Sequence, residues 1–225
     1  MRTIKSFVRR TGRKTSGQHS AINQLWSEYG VNFSKKKLNF YSLYRNNFPI
    51  HLEIGFGNGE ALIASAESNT DKNYLGIEVY DSGIGSCLIK AKKKQINNIK
   101  ICSGDARDVL EVQIADKSLE RINIYFPDPW PKKRHHKRRL IQEDFLRLCA
   151  SKLKKTGQLH IATDWNNYAE HIIEIIEKNT DFIVSKHLKH NGKIKLERPT
   201  TKFEKKGLKK GHFIWDWVLT KISLG

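Results

Sequence analysis

Leu52-Glu53-Ile54-Gly55-Phe56-Gly57-Asn58-Gly59 is the stretch that decides the fold of this 225-residue chain. A predicted buried strand, Ile50–Ile54, leads into three alternating glycines, and a helical segment follows from Glu60 to Ser68. Glycines after a buried strand allow a tight turn and let a ligand approach the backbone closely. The pattern predicts a strand–turn–helix unit with a ligand at the turn. A tight turn without a ligand is the alternative, because a dinucleotide fingerprint would place glycine or alanine at Glu60.

Apolar runs continue to alternate with segments of helical spacing beyond this unit. The two final strands, Phe182–Ser185 and Phe213–Leu219, are predicted to pair antiparallel around a basic insert at about residues 186–211. This order is typical of an α/β fold, a Rossmann-like sheet that is mostly parallel and carries helices on both faces. Further strands are predicted at 74–79, 99–102, 121–126 and 157–162, and helices at 83–96, 141–153 and 168–178, with a helical turn at 107–111.

The chain is strongly basic, since 41 lysines and arginines against 23 aspartates and glutamates give a formal net charge of +18. Such an excess favours a polyanionic partner, and RNA or DNA is the usual one. Residues 1–20 contain six basic side chains and no acid. They predict a flexible basic N-terminal arm that binds nucleic acid, with an organellar transit peptide as the alternative. Residues 21–225 are expected to form a single domain.

The three cysteines, Cys87, Cys102 and Cys149, are odd in number and form no Cys-x-x-Cys pair. This usage favours core thiols in a reducing, cytoplasmic compartment. The nine histidines show no metal-ligand spacing, and cations surround His135 and His136, so no metal is expected. No apolar run reaches membrane-spanning length, so a membrane is not an expected partner.

Acidic residues lie at the carboxyl ends of three successive predicted strands: Glu53 and Glu78 near the ends of the first two, and Asp105 just after the third. The carboxyl ends of parallel strands meet at one edge of the sheet, where open α/β folds bind ligands. Carboxylates there accept hydrogen bonds from ribose hydroxyls or from an adenine amino group. An acid-lined pocket disfavours a pyrophosphate and suits a cationic cofactor, so the acids predict S-adenosylmethionine, which carries a sulfonium and an ammonium. For each acid taken alone, a helix cap or a surface position is the alternative.

Phe126-Pro127-Asp128-Pro129-Trp130 follows the fourth of the predicted strands. Prolines on both sides restrict the backbone around Asp128, and Trp130 offers a flat ring on which a base can stack. The basic run that comes next predicts contacts with phosphates. A rigid carboxylate beside an aromatic ring and a cationic strip indicates an active site that handles a nucleobase, with Asp128 as the candidate catalytic residue. The predicted RNA-binding residues are Arg134, His135, His136, Lys137, Arg138 and Arg139.

Residues 126–139 resemble a motif of the bacterial-type tRNA (guanine-N7)-methyltransferases, and residues 52–59, 76–79, 162–165 and 198–204 resemble further motifs of that family in the same order. The resemblance implies a class I methyltransferase sheet with one antiparallel strand. It also implies that S-adenosylmethionine is the cofactor and that the methyl group goes to N7 of guanine 46 in the tRNA variable loop. The sequence demands no obligatory partner subunit, and a monomer and a homodimer both stay open. The residues predicted for the cofactor site are Glu53, Gly55, Gly57, Gly59, Glu78, Asp105 and Asp128, and those implied for the substrate site are Lys132, Asp164, Thr201, Lys202, Phe203 and Glu204.

The chemistry of guanine N7 suggests roles for two of the acids. N7 has a free lone pair and needs no deprotonation, so the protein mainly has to align the acceptor with the methyl group and exclude water. A cation bound to O6 and N7 would block the reacting atom. Recognition should therefore use the N1–H and 2-amino donors, for which Asp128 and Asp164 are the candidate acceptors. For Asp164 a helix cap is the alternative.

Three other functions remain as alternatives. An NAD-dependent oxidoreductase on the same sheet is disfavoured by Glu60 and by the lack of an obvious hydride-transfer His or Tyr pair. A non-enzymatic RNA-binding protein would leave the acids at the strand ends unexplained. An adenine-N6 methyltransferase would carry Asp/Asn-Pro-Pro-Tyr/Phe, and Asp128-Pro129-Trp130-Pro131 departs from that motif at its last two positions.

Overall fold

A computed structural model of the chain describes residues 5–7, 14–192 and 198–222. Its strands are β1 (Gly30–Val31), β2 (Ile50–Ile54), β3 (Asn73–Glu78), β4 (Ile99–Ser103), β5 (Leu119–Tyr125), β6 (Leu153–Thr163), β7 (Phe182–His190) and β8 (Ile214–Lys221). Within the described residues they form one eight-stranded sheet in the order β1-β4-β3-β2-β5-β6-β8-β7. Strand β8 runs antiparallel to both of its neighbours, and the remaining pairings are parallel. The predicted fold class is therefore confirmed.

Helices cover both faces of the sheet. They are α1 (Ser16–Tyr29), α2 (Phe40–Tyr44), α3 (Glu60–Ser68), α4 (Asp81–Lys93), α5 (Ala106–Asp108), α6 (Glu143–Lys152), α7 (Asn166–Lys178) and α8 (Lys202–Lys209), with a π-helical turn at Val109–Gln113 and a 3₁₀ helix at Lys133–Arg138. One apolar core joins the sheet to α1, α3 and α4, and another joins it to α5, α6 and α7. Buried isoleucine or leucine recurs at every other position, at Ile50, Leu52 and Ile54 in β2 and at Ile99 and Ile101 in β4, which is why both strands were predicted from the sequence.

The N-terminal segment differs from the prediction. Helix α1 begins at Ser16, inside the segment predicted as a flexible arm, because Thr15 and Gln18 form a capping box. The Thr15 hydroxyl accepts the backbone N–H of Gln18 at 3.2 Å, and Ala21 is buried in the core with α4. The folded domain thus starts before residue 21. Residues 1–4 and 8–13 of the predicted arm lie outside the described residues.

The predicted basic insert at 186–211 contains regular structure. Strand β7 continues to His190, and α8 occupies Lys202–Lys209. The apolar pattern missed α8 because Glu204 and Gly207 are its buried residues, so no apolar stripe marks it. A capping box formed by Thr201 and Glu204 was the available signal. Residues 193–197 of the predicted insert lie outside the described part of the chain.

Most predicted strands and helices lie within a few residues of their observed bounds, and β6 shows a larger difference. Leu153 already pairs with Leu119, before an irregular stretch in which Thr156 has φ 62°, so β6 starts there rather than at Gly157. Cys87, Cys102 and Cys149 are buried and free, as predicted for core thiols. In the part of the chain that the structure describes, none of the helices combines the length and apolarity needed to cross a bilayer.

Candidate active site

The candidate site lies at the carboxyl ends of β2 and β5, where the strand order of the sheet reverses. Open α/β sheets bind ligands in the crevice at such a switch point. A cleft of about 190 Å³ opens there. It brings together predicted site residues from four separate segments, and these are Gly55, Gly57, Glu78, Asp128 and Phe203.

The turn between β2 and α3 is built on three left-handed glycines. Gly55, Gly57 and Gly59 have φ values of 71°, 56° and 78°, a region that side-chain-bearing residues rarely adopt. A Cβ atom on Gly59 would lie 2.5 Å from the sulfur of Cys87, so α4 packs directly on this turn. The glycines therefore permit the backbone conformation of the turn and the close packing of α4 on it, while the predicted approach of a ligand stays a prediction.

Glu78 is fixed at the end of β3 by backbone amides. Its carboxylate accepts the N–H groups of Gly57 at 2.8 Å, Val79 at 2.7 Å and Tyr80 at 3.1 Å. Burial raises the pKa of Glu78, these hydrogen bonds oppose the rise, and the nearby charge of Asp128 adds to it. The carboxylate is thus held in one orientation on the wall of the cleft.

Glu53 is a buried acid with no hydrogen bond to any described residue, and it is 4% exposed. Burial raises the pKa of Glu53 to about 8, the charge of Arg198 opposes the rise and that of Glu78 adds to it. Burying a carboxylate without a partner is costly, and the group keeps its proton instead. The charge of Arg198 does not offset the burial of Glu53, so a further cation beside it would stabilise the ionised carboxylate.

Asp105 caps a helix, which was the alternative interpretation for each acid. Its carboxylate accepts the backbone N–H of Arg107 at 3.0 Å at the start of α5. Its two neighbours, Gly104 and Ala106, line the cleft. A carboxylate has a second oxygen, so the cap leaves Asp105 able to make the predicted contact with a ligand.

Asp128 stands between the cleft and a second pocket, because it lines both. The second pocket also includes Tyr80 and Lys132. Phe126 and Trp130, on either side of the proline–aspartate–proline sequence, have φ values of 53° and 46°. Such angles are unusual for bulky residues and mark a functionally constrained backbone. These φ values and the prolines together restrict the backbone on either side of Asp128.

Trp130 is engaged within the protein, which differs from the predicted open stacking face. The guanidinium of Arg138 lies 5.1 Å from its ring centroid, and its indole N–H donates to the carbonyl of Ser6 at 3.1 Å. His135 approaches the ring edge-on at 5.9 Å. Trp130 therefore organises the basic strip and the N-terminal segment around the second pocket.

The structure contradicts the prediction that Arg139 contacts RNA. Arg139 is 2% exposed, and its guanidinium donates to the Pro129 carbonyl at 2.9 Å and to the Asn167 side chain at 2.7 Å. It also lies over the Tyr168 ring. Arg139 thus ties the proline loop to α7. The other five predicted residues reach the surface to differing extents, with Arg134 and Lys137 exposed and His135, His136 and Arg138 partly buried.

Helix α8 places its first residues over the glycine turn. Phe203 is 58% exposed and lines the cleft, and Lys202 lines an adjoining pocket with Gly57 and Glu78. The hydroxyl of Thr201 accepts the backbone N–H of Glu204 at 3.1 Å. Thr201 and Glu204 are buried, so in this structure they hold the segment that carries Phe203 and Lys202.

Arg198 is a residue that the sequence reasoning left without a role. It donates to Glu204 at 2.6 Å and to Asp216 at 2.7 Å, and its Nη2 atom is buried without a partner among the described residues. Burial alone would lower the pKa of Arg198, but the charges of Asp216 and Glu204 raise it. Asp216 also meets His160 at 2.5 Å. An aspartate inside the apolar strand β8 was the available sign of a buried ion pair.

Asp164 lies in a different pocket from Asp128. It lines that pocket with His212 and Trp215, and the pocket shares no lining residue with the cleft. The predicted alternative, a helix cap, is wrong, because Trp165 is the N-cap of α7 and Asp164 instead pairs with His212 at 3.2 Å. A Cβ atom on Gly207 would lie 2.6 Å from the Asp164 carboxylate. Helix α8 therefore contacts both places, the cleft through its first turn and Asp164 through Gly207.

Comparison with known proteins identifies the family. A family model described as a putative methyltransferase matches residues 47–217. The tRNA (guanine-N(7)-)-methyltransferase of Actinobacillus succinogenes is 43% identical and aligns with 98% of this chain and 88% of its own length. That of Psychromonas ingrahamii is 43% identical, over 99% of this chain and 91% of its own. The chain belongs to the tRNA (guanine-N(7)-)-methyltransferase family. The predicted family and methyltransferase class are confirmed.

Solved structures with low sequence identity share the fold. The 30S ribosomal A1408 methyltransferase from an uncultured bacterium has a TM-score of 0.57 at 16% identity, covering 85% of this chain and 98% of its own. TrmN from Thermus thermophilus has a TM-score of 0.55 at 15% identity, covering 81% of this chain and 47% of its own. These similarities show that the chain shares its fold with methyltransferases, and they do not identify its substrate.

Proposed function

We propose that this chain transfers a methyl group from S-adenosylmethionine to N7 of guanine 46 in the variable loop of tRNA. S-adenosylmethionine is its methyl donor and tRNA its substrate, in keeping with its family. The assignment of position 46 rests on the resemblance of the chain's motifs to those of the family. The observation that carries the proposal is the place of Asp128, which lines both the cleft at the β2–β5 switch point and the adjoining pocket with Lys132.

The acids in and next to the cleft suit a cationic cofactor: Glu78 lines the cleft, while Glu53 and Asp105 each adjoin lining residues, Ile54 and Gly104. Buried Glu53, with a pKa of about 8, would take the ammonium, and Glu78 and Asp105 would accept the ribose hydroxyls and the adenine amino group. Gly55 and Gly57 line the cleft and would let the cofactor approach the backbone closely, while Gly59 lets α4 pack against the turn. Once bound, the cofactor supplies a methyl group on a sulfonium, which needs no further activation. The protein holds the donor and excludes water from it.

Asp128 is the acceptor that we assign to the target guanine. By binding N1–H and the 2-amino group it leaves N7 open to the methyl group, and its negative charge stabilises the cation that methylation creates on the ring. Lys132, in the same pocket, would anchor O6 or a phosphate. Phe203 closes over the cleft and Lys202 contacts the substrate beside it, while Thr201 and Glu204 keep that segment in place. Asp164, in its separate pocket, takes a second contact with the tRNA.

The experiment that tests the function maps the modified base. The purified chain is incubated with unmodified tRNA and methyl-labelled S-adenosylmethionine, and the RNA is then cleaved at N7-methylated guanines. We expect label and cleavage at guanine 46, and neither with a tRNA that carries adenine there. Label elsewhere in the tRNA would refute the assigned position, and no label in any tRNA would refute the reaction.

We further propose that the chain works in the cytoplasm, as a monomer or homodimer and without an obligatory protein partner. Three buried free thiols suit a reducing compartment. Activity of the chain purified alone, measured alongside its mass in solution, tests the independence from a partner. A chain that methylates tRNA only after addition of a cell extract would contradict it.

Cofactor binding should depend on pH through Glu53. The pKa of Glu53 is about 8 in the free protein, so the carboxyl is largely protonated at pH 7 and must lose its proton when it pairs with the ammonium. Affinity should therefore rise by up to roughly tenfold per unit between pH 6 and 7.5. Calorimetry at pH 7 in buffers of different ionisation enthalpy should show close to one proton released per cofactor bound.

Glu53→Gln is the matched control for that measurement. The variant should bind the cofactor more weakly and without proton release. Since the pKa of Glu53 lies above its usual value of 4.5, the wild type should also lose stability relative to this variant as pH rises from about 4.5 to about 8. Equal proton release by the two proteins would rule out Glu53 as the ammonium partner.

The exposed part of the basic strip should set the salt dependence of tRNA binding. Replacing Lys133, Arg134 and Lys137, which are exposed, with alanine removes up to three phosphate contacts. The slope of log K against log salt should then fall in magnitude by about 2 to 3. Arg139→Ala should leave that slope unchanged and instead lower the free energy of unfolding by about 2–3 kcal/mol, because it breaks buried charged hydrogen bonds. A salt slope that falls with Arg139→Ala alone would restore Arg139 as an RNA contact.

A further inference from the structure

One face of strands β7 and β8 carries stacked aromatic rings that the reaction described above does not use. His187 and Trp217 are parallel within 2° at a centroid distance of 5.3 Å, and Trp215 and Trp217 are parallel within 13° at 6.1 Å. The ammonium of Lys189 lies 4.3 Å above the Trp215 ring and 5.1 Å from that of Phe213. We call His187, Lys189, Phe213, Trp215 and Trp217 the aromatic surface.

The aromatic surface results from the strand registers. Lys189 pairs with Trp215, and His187 pairs with Trp217, so these side chains point to the same face of the sheet. Trp217 is buried at 2% exposure and fixes the base of the stack, while Phe213 is 50% exposed. The buried end makes the surface rigid and the exposed end leaves rings accessible, which is the combination that a stacking platform needs.

The aromatic surface continues into the pocket of Asp164. Phe213 and Trp215 line that pocket together with Asp164, Trp165 and His212. The His212 ring meets Trp165 edge-on at 6.4 Å. The aromatic surface therefore adjoins Asp164, one of the predicted substrate residues. A nucleic acid that reaches Asp164 also passes the aromatic surface.

We propose that the aromatic surface stacks an unpaired nucleotide of the tRNA outside the base that is methylated. The base takes the place above Phe213 and Trp215 that the Lys189 ammonium holds in the structure, and the freed ammonium turns to an adjacent phosphate. Aromatic rings stack on any of the four bases. The flexible side chain of Lys189 can bring its positive charge to a phosphate. This proposal rests on the proposed function, since it takes tRNA as the substrate.

The test uses a double variant of exposed residues, Phe213→Ala with Lys189→Ala, so that the buried end of the stack is kept. Its KM for tRNA should rise roughly tenfold or more, because base–aromatic stacking has effects of that size. The salt slope of tRNA binding should fall in magnitude by about 0.7–0.9. The KM for S-adenosylmethionine should not change. The matched control is Phe33→Ala with Lys35→Ala, since Phe33 is also 50% exposed and follows β1 at the opposite edge of the sheet.

Two results would overturn the proposal. One is a KM for tRNA equal to that of the control variant. The other is an unchanged tRNA affinity with loss of self-association in sedimentation, which would assign the surface to an interface between copies of the chain. The proposed function fails separately, if the wild type methylates no guanine. In that case, weaker tRNA binding by the double variant alone would still support the aromatic surface as an RNA contact.

Discussion

Replacing Asp128 with asparagine is expected to lower the rate of methyl transfer by roughly 10²–10³-fold, the usual cost of removing a group that stabilises developing charge. Asparagine keeps the shape of the side chain but removes the negative charge that faces the cationic ring. It also presents an amide N–H where the guanine donors need an acceptor. The measurement is single-turnover transfer from labelled S-adenosylmethionine with cofactor and tRNA both saturating, so that weaker binding does not enter the rate.

Asp108→Asn provides the matched control for this prediction. Asp108 is an exposed aspartate in the neighbouring helix α5, and its replacement should leave the rate within about twofold of the wild type. The Asp128 variant should unfold at the same urea concentration as the wild type, because the Asp128 side chain is exposed. A transfer rate close to that of the wild type would remove Asp128 from the mechanism and leave Asp164 as the candidate acceptor.

The central strands were predictable because buried apolar residues recur along each of them, as Ile50, Leu52 and Ile54 do in β2. Strand β2 and helix α3 were predicted with their observed bounds, Ile50–Ile54 and Glu60–Ser68, since an apolar run, three glycines and a helical segment follow one another without ambiguity. Helix α8 was not predicted, because what holds it is a buried capping box and Gly207 against Asp164. The hydrophobic periodicity of the local sequence does not depend on such contacts and so cannot reveal them.

Site residues whose location depends on their position along a strand could be predicted from the sequence. Those whose location depends on tertiary contacts could not. Glu78 and Asp128 lie together because β3 and β5 end at the same edge of the sheet, and the carboxyl ends of these two strands were predicted to within one residue. The burial of Arg139 follows from its hydrogen bonds to Pro129 and Asn167. In the sequence it was one cation among several, and nothing local distinguished it from the exposed Arg134.

Arg198 is the residue whose loss should most damage the fold around the site. Its side chain is 2% exposed and lies between the carboxylates of Glu204, 1% exposed, and Asp216, 6% exposed. Replacing Arg198 with alanine leaves two buried acids without their counter-charge, and breaking a buried pair in this way costs about 3–5 kcal/mol. Urea unfolding at pH 7.5 should show a loss of that size. Binding of S-adenosylmethionine should weaken as well, because Glu204 caps the helix that carries Phe203 over the cleft.

The pH dependence of the decrease in stability distinguishes a charge effect of Arg198 from a packing effect. The wild type holds the pKa of Asp216 low, since the bond to His160 and the charge of Arg198 outweigh the effect of burial. Without Arg198 the pKa of Asp216 should rise, so the variant takes up a proton as pH falls and regains part of its stability near pH 5.

Arg107→Ala is the control for Arg198→Ala. Arg107 makes two hydrogen bonds of 2.9 Å to Asp144, so like Arg198 it makes two charged hydrogen bonds, although both go to one carboxylate. The Asp144 side chain is 63% exposed, and a solvated pair of this kind contributes about 1 kcal/mol or less. Two results would show that Arg198 stabilises the site by packing and not by neutralising buried charge. One is an equal decrease in the free energy of unfolding for both variants. The other is a decrease for Arg198→Ala that is as large at pH 5 as at pH 7.5.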